Sequence, residues 1–282
     1  MQCRLLGLFL PYYAFFSYTA KKLIFSPTIR QLRAADRDLM RKNINIYKAI
    51  FDIFGISKKN GSILDVGGNL GYTAIAFRLA LQDSNIDVYS FEPYPLNINF
   101  MRKNVSGFNI KVIPLGLGDL NQTLDIGFPN YTKNYVISDD RLNSGRVGFV
   151  GLSSESKTSK MRKAKIVNAD LYLKSKKNLK NILFVKIDVE GYEMKVLRGL
   201  KKTLMTNRPL VQIEANPITL SLSSTSLSDI KNFAINCNYV IYILRKKSLV
   251  ILSDKTGLPS GVCELFFIPK EDYTLSEEIF FA

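Results

Sequence analysis

Strands alternating with helices over residues 60–236 limit the fold of this chain more than any other feature. The alternation is clearest in ILDVGGNLGYTAIAF, residues 63–77. An apolar strand expected at 62–67 breaks into glycine at Gly67 and Gly68, with a third at Gly71, and resumes as a helix over 71–82. A strand at 87–92 leads past Pro93 and Pro95 into a helix at about 96–104, and a third strand is read at 110–116. Residues 182–188 (ILFVKID) are apolar around one lysine, as in a strand covered on both faces. The helix after Gly191 places Val196, Leu197, Leu200 and Leu204 on one side and Lys195, Arg198, Lys201 and Lys202 on the other. Strand 210–215, a Ser-rich helix around 226–236 and late strands at 239–245 and 263–269 complete the series. Successive strand-helix-strand units require parallel pairing, because each crossover runs back over the sheet. The expected fold is therefore α/β, a doubly wound, mostly parallel sheet with antiparallel C-terminal strands.

The rhythm stops at residues 119–168, read as a hairpin-rich insertion within one domain spanning 59–282. Residues 1–58 read as an N-terminal helical region, with apolar positions Leu32, Leu39, Ile46, Ile50 and Phe54 at helical spacing over 30–56. Within it, residues 5–20 (LLGLFLPYYAFFSYTA) are apolar and aromatic, bounded by Arg4 and Lys21-Lys22. This run is short for a membrane span, which needs about 20 residues. Its aromatic content suits a helix lying on a membrane surface or packed on the domain, with an anchor or signal sequence as alternatives. The expected location is cytoplasmic, with peripheral membrane contact through residues 5–20.

Composition removes several chemistries. The 282 residues contain no His, so no His-based nucleophilic couple can exist, and a general base must be Asp, Glu, Lys, Tyr or Cys. Cys3, Cys237 and Cys263 lie far apart, without the spacing of a zinc site or a disulfide framework. A formal charge of +15 favours acidic partners or reflects a lysine-decorated surface. Nine Lys/Arg stand between Lys157 and Lys180 against one acid, Asp170; this is a solvated surface or an anion-facing lobe.

The glycine turn Gly67-Gly68-Asn69-Leu70-Gly71 falls at the carboxyl end of the first strand, where such sheets bind ligands. Its adjacent first glycines break the spacing of a dinucleotide fingerprint. Glu92 ends the second strand, 21 residues after Gly71, where a carboxylate can accept from both ribose hydroxyls. Asp65 distinguishes between nucleotides: a carboxylate there repels a pyrophosphate and attracts an amino-acid ammonium. A nucleoside with an ammonium on its tail is S-adenosyl-L-methionine. The structural alternative for Asp65 is a turn-stabilising residue.

ILDVGGNLGYTA, FEPYPLN with Asn104, PLGLGD, FVKIDVEGYEMKVLRGL and PLVQIEAN, in this order, resemble the FkbM family of S-adenosylmethionine-dependent methyltransferases over roughly residues 60–217. Gly68 departs from the alanine common there, a change expected not to affect cofactor binding. The resemblance implies a Rossmann-like class I methyltransferase fold and methylation of hydroxyl groups on a carbohydrate or similar small-molecule or glycan acceptor. It also implies cofactor contacts from Asp65, Gly67, Gly68, Asn69, Gly71 and Glu92, with adenine near Gly116 and Leu117 and Asp119 a candidate for its exocyclic amine.

An alcohol needs help losing its proton. Lys186, Asp188 and Glu190 share a face if the strand persists. Asp188, nearest the carboxyl end, is first choice as base or acceptor-orienting group. Glu190 is second, with service at the following helix N-terminus as its alternative, and Lys186 tunes or pairs with a neighbouring acid. Glu214, ending the fifth strand, is a substrate-binding candidate. Together Asp188 and Glu214 are a conceivable Mg²⁺ pair, although carboxylates around a pocket are more often hydrogen-bonding groups, and no metal is expected. RNA ribose methylation is the alternative reading, supported by the charge but weakened because Tyr172 is the sole aromatic in the basic cluster. A further alternative is a membrane-associated binding protein without catalysis, which the intact Asp65, Glu92 and Asp188 disfavour.

Overall fold

A computed structural model describes residues 16–19, 22–25, 34–82, 84–127, 148–149, 162–179, 181–245, 248–253, 257, 259–272 and 278–280. At the N-terminus β1 (Phe16–Thr19) pairs antiparallel with β2 (Lys22–Phe25). At these positions the expected surface helix is instead an extended hairpin, in keeping with the strand preference of aromatic and branched side chains. The rest of the apolar run at 5–20 lies outside the described residues. Helix α1 (Ala34–Ile53) follows.

The domain then alternates as its apolar pattern demands: β3 (Gly61–Val66), α2 (Tyr72–Leu81), β4 (Ile86–Phe91), α3 (Pro95–Asn104) and β5 (Ile110–Ile113). After an interruption come β10 (Ile182–Ile187), α5 (Glu193–Gly199), α6 (Lys201–Asn207), β11 (Leu210–Ala215), α7 (Pro217–Leu222) and α8 (Leu227–Asn236). The chain closes with β12 (Tyr239–Arg245), β13 (Ser248–Ile251), β14 (Cys263–Pro269) and β15 (Glu278–Phe280). Nine strands form one sheet in the order β15-β13-β12-β14-β11-β10-β3-β4-β5. From β5 to β11 every pair is parallel; β14 is antiparallel to both β11 and β12. Strand order reverses between β3 and β10, so ligand-binding loops gather at their carboxyl ends.

Each central strand alternates its side chains between two cores. Leu64, Val66, Val185 and Ile187 pack with Leu173, Val196, Leu197, Leu204 and Ile230 on one face. Ile63 and Phe184 pack with Tyr47, Ile50 and Phe51 of α1 and Phe77 of α2 on the other. There the Phe184 ring stands edge-on to Phe51 at 5.3 Å and Phe77 at 5.4 Å, the favoured aromatic geometry. The expected α5–α6 face is also realised, with Val196, Leu197, Leu200 and Leu204 fully buried.

The strand expected at 110–116 divides. Pro114 cannot donate to a ladder, and the chain leaves the main sheet at Ile113 to form β6 (Gly116–Gly118) in a second sheet. That sheet, ordered β6-β9-β7-β8, joins β7 (Gln122–Gly127), β8 (Gly148–Phe149) and β9 (Arg162–Asn168). β7 pairs antiparallel with both β8 and β9. Asn168 then caps α4 (Ala169–Ser175) by accepting from the Leu171 amide at 3.0 Å. No helix among the described residues is long and apolar enough to cross a membrane.

Phe184→Ala should lower unfolding free energy by about 3–5 kcal/mol through the cavity it leaves. Met205→Ala, at a 54% exposed position, should stay within about 0.5 kcal/mol. Urea denaturation followed by circular dichroism compares the two directly.

Candidate functional site

One row of the sheet departs from apolar packing. Ser90, Asp65, Lys186 and Gln212 are lateral neighbours on β4, β3, β10 and β11, and all are at most 5% exposed. Burying such groups is costly unless they are paired. Ser90 Oγ donates to Asp65 Oδ2 at 2.7 Å, and Lys186 Nζ donates to Asp188 Oδ2 at 2.7 Å. Burial disfavours the Lys186 charge, yet Asp188, Tyr47, Glu264 and Glu214 hold its pKa well above the ordinary value. Burial also raises Asp65, to about 6, against the lowering influence of Lys186 and Ser90. Asp65 Oδ1 is buried with no hydrogen-bond partner.

Beyond β3 the backbone turns through Gly67 (φ +91) and Asn69 (φ 47). A side chain at Gly67 would collide with the Asp188 carbonyl, so glycine is required both by conformation and by the approach of the next strand's loop. Glu92 braces this turn. Its Oε2 accepts from the Asn69 amide and its Oε1 from the Tyr94 amide, both at 2.8 Å. Burial pushes Glu92 up to about 8 despite these donors. Asn104 Nδ2 ties down the Leu70 carbonyl at 2.9 Å.

A cleft opens here between Gly67, Asn69 and Glu92 on one side and Asp188, Val189 and Glu190 on the other. Gly116, Leu117 and Ile126 from the second sheet close it, with Tyr192. The structure thus gathers Gly67, Asn69, Glu92, Leu117, Asp188 and Glu190 around one space. Asp65 and Lys186 lie beneath it in the buried row. Asp65, Gly68, Gly71, Asp119, Lys186 and Glu214 are not among the cleft-lining residues. Gly71 is the left-handed N-cap of α2, and Asp119 stands 3.4 Å from Lys195 Nζ.

Strand β10 ends at Ile187, so strand periodicity does not carry Glu190 to the cleft. Glu190 arrives by a left-handed turn (φ 50) followed by Gly191 (φ 102). The acid serving the start of α5 is Glu193, whose Oε1 accepts from the amides of Gly191 at 3.0 Å and Val189 at 3.4 Å. Burial, with the nearby Asp188 charge, raises Glu193 to about 7. Carboxylate oxygens of Asp188, Glu190 and Glu214 lie within 4.8 Å of one another, a spacing able to hold an oxygen-seeking cation. Glu214 faces Glu264 across the β11–β14 pairing; the Asp188 charge and burial raise Glu214, and burial raises Glu264.

Sequence reasoning missed Ser90, Asn97, Tyr192 and Glu193. Asn97 and Tyr192 line the cleft. Glu193 carried a legible signal, an acid in the first turn of a helix just after a glycine. Ser90 had none, since its partner lies 25 residues away on another strand. Tyr172, the aromatic of the basic cluster, packs edge-on against Phe91 at 5.7 Å and carries Lys176 over its ring at 5.1 Å.

Comparison with known proteins follows the same outline. Over 149 residues the chain is 29% identical to "Methyltransferase 1" of Beauveria bassiana (strain ARSEF 2860), covering 49% of this chain and 57% of that protein. The match therefore spans little more than half of that relative's length. Among solved structures, methyltransferase FkbM from Methylobacillus flagellatus KT is 16% identical, with TM-score 0.44, covering 74% of this chain and 43% of that one. An O-methyltransferase from Bacillus cereus is 15% identical, with TM-score 0.40, covering 80% and 79%. The Methyltransferase FkbM domain model matches residues 65–241, well over half of the chain, and the protein belongs to that family.

Proposed function

We propose that the protein is an S-adenosylmethionine-dependent O-methyltransferase acting on a hydroxyl of a carbohydrate or a similar small-molecule or glycan acceptor. The observation that carries this reading is the buried Asp65 carboxylate beneath the glycine turn, with one oxygen unpartnered. That atom suits an ammonium donor, and Glu92 in the cleft wall suits a ribose. Leu117 and Ile126 offer apolar surface to a base. When bound there, S-adenosylmethionine supplies a methyl group on a sulfonium, an electrophile for an oxygen nucleophile.

On the acceptor side Asp188 is placed to accept the hydroxyl proton. Lys186 donates to its Oδ2, fixing the carboxylate, and Asp188 lines the cleft. A positioned base contributes about 10²–10⁴-fold, and holding the hydroxyl in place contributes further. Glu190 and Glu214 are hydrogen-bond acceptors for neighbouring hydroxyls, which supports a polyhydroxylated acceptor. RNA methylation is less well supported, because Tyr172 is packed against Phe91 rather than presented for stacking on a base. Contact of residues 5–20 with a membrane surface belongs to this proposal on their aromatic composition alone.

Calorimetric titration with S-adenosylhomocysteine should give micromolar binding to the intact chain, weakened at least about tenfold in Asp65→Ala and in Glu92→Ala, as charged hydrogen-bonded partners are worth about 1.5–3 kcal/mol. Absence of binding to the folded wild type would reject the cofactor.

Asp188→Asn should leave that affinity within about threefold while cutting S-adenosylhomocysteine release, assayed across a panel of hydroxylated sugars, by about 10²–10⁴-fold. Undiminished turnover removes Asp188 from the mechanism.

The raised carboxyls also set a pH dependence. Asp65, Glu193 and Glu92, at about 6, 7 and 8, bind protons more tightly folded than unfolded. Their stabilising contribution is complete below the unfolded values and is lost as pH rises through the folded ones. Asp65 alone accounts for about 3 kcal/mol, at about 1.4 kcal/mol per unit. The Tm of the ligand-free protein should therefore fall between pH 5 and 8, and the fall should be shallower in Asp65→Asn.

A further inference from the structure

Gly68 does more than permit a turn. A Cβ built there would run into Ser90 Oγ and the end of the Met101 side chain, and would sit 3.2 Å from Asp65 Oδ2. The space belonging to a side chain at 68 is thus filled by the Ser90 hydroxyl, which has no solvent exposure and donates to Asp65 Oδ2 at 2.7 Å. Asp65 is 1% exposed, and its other oxygen has no partner. One carboxylate oxygen is therefore fixed and the other left as an acceptor.

We propose that Ser90 is a positioning residue for the ammonium of the methyl donor: admitted by the missing side chain at 68, its hydroxyl holds Asp65 Oδ2 and reserves Oδ1 for the ligand. This rests on the cofactor reading above. The expected change of Gly68 from alanine is accordingly not neutral here, since it is coupled to Ser90. The hydroxyl also favours the ionised form of Asp65. The other titratable groups around Asp65 are Lys186 and Asp188 at the end of β10, Glu92 after β4 and Tyr47 on α1. Of these Lys186 opposes burial and Asp188 reinforces it, while the Asp65 charge in turn raises Glu92.

The test is a double-mutant cycle with S-adenosylhomocysteine as probe, titrated calorimetrically from pH 5.5 to 8 against the full chain. Wild-type affinity should climb as Asp65 ionises and then level. In Ser90→Ala the climb should move about one unit higher, weakening binding about fivefold at pH 6 but less than about threefold at pH 8. Gly68→Ala should weaken binding at least about tenfold throughout, and Gly68→Ala combined with Ser90→Ala should recover to the level of Ser90→Ala alone. Methylthioadenosine, which lacks the ammonium, should bind wild type and Ser90→Ala alike. A Ser90→Ala profile superimposable on wild type, or a double variant no better than Gly68→Ala, overturns the proposal. Equal weakening of methylthioadenosine by Ser90→Ala overturns it too, since the effect would then be general distortion. Wild type that fails to bind S-adenosylhomocysteine at any pH instead rejects the underlying cofactor reading.

Discussion

The pair formed by buried Lys186 and half-buried Asp188 is the constraint on which the rest of the site depends. Lys186 interrupts a strand that is otherwise apolar and covered on both faces, and a charge there is tolerated because carboxyl groups surround it. Its acidic partners are drawn from four strands: Asp65 from β3, Asp188 from the end of β10, Glu214 from β11 and Glu264 from β14. Shifting any of these strands by one residue would turn its polar group to the opposite core and withdraw part of the charge that compensates the ammonium. The row therefore specifies register as well as chemistry.

This arrangement explains how one sheet separates two tasks. On the β3 and β4 side, Asp65 is buried beneath the glycine turn and held by a hydroxyl, and Glu92 in the cleft wall is held by backbone amides, suiting a ligand of fixed shape. On the β10 and β11 side, Asp188, Glu190 and Glu214 are half-exposed and clustered, suiting a hydroxylated ligand of more variable outline. The second sheet contributes Leu117 and Ile126 as an apolar wall. The basic surface of β9 lies away from this chemistry at Lys163 and Lys165, which are exposed, Lys163 paired with Asp125.

Much of the architecture was legible from local pattern. Apolar runs marked β3, β4, β10 and β11 because strands covered on both faces tolerate few polar residues, and helical spacing marked the Leu197–Leu204 face. The antiparallel finish of β12 and β14 was read correctly. What escaped depends on distant partners. Pro114 diverted the chain into a second sheet whose other strands lie up to 50 residues onward, and no local signal announces such pairing. The helix expected over 5–20 is an extended hairpin at Phe16–Thr19. At the site, Asp65, Glu92 and Asp188 stood at strand ends where the fold class directs attention. Ser90 and Glu193 work behind those residues, and an innocuous serine in a strand is visible only once its neighbour across the ladder is known.

The contact between Gly67 and the Asp188 carbonyl has one more consequence. The glycine turn after β3 and the loop carrying Asp188 meet as a single wall, with no space for a side chain between them. A ligand that shifts either side by a fraction of an ångström must shift the other, and the resulting change in affinity is equal in both directions. Under the proposed reading, any coupling between donor and acceptor affinity is then a property of that shared wall, built into the backbone at a position where no residue larger than glycine can stand.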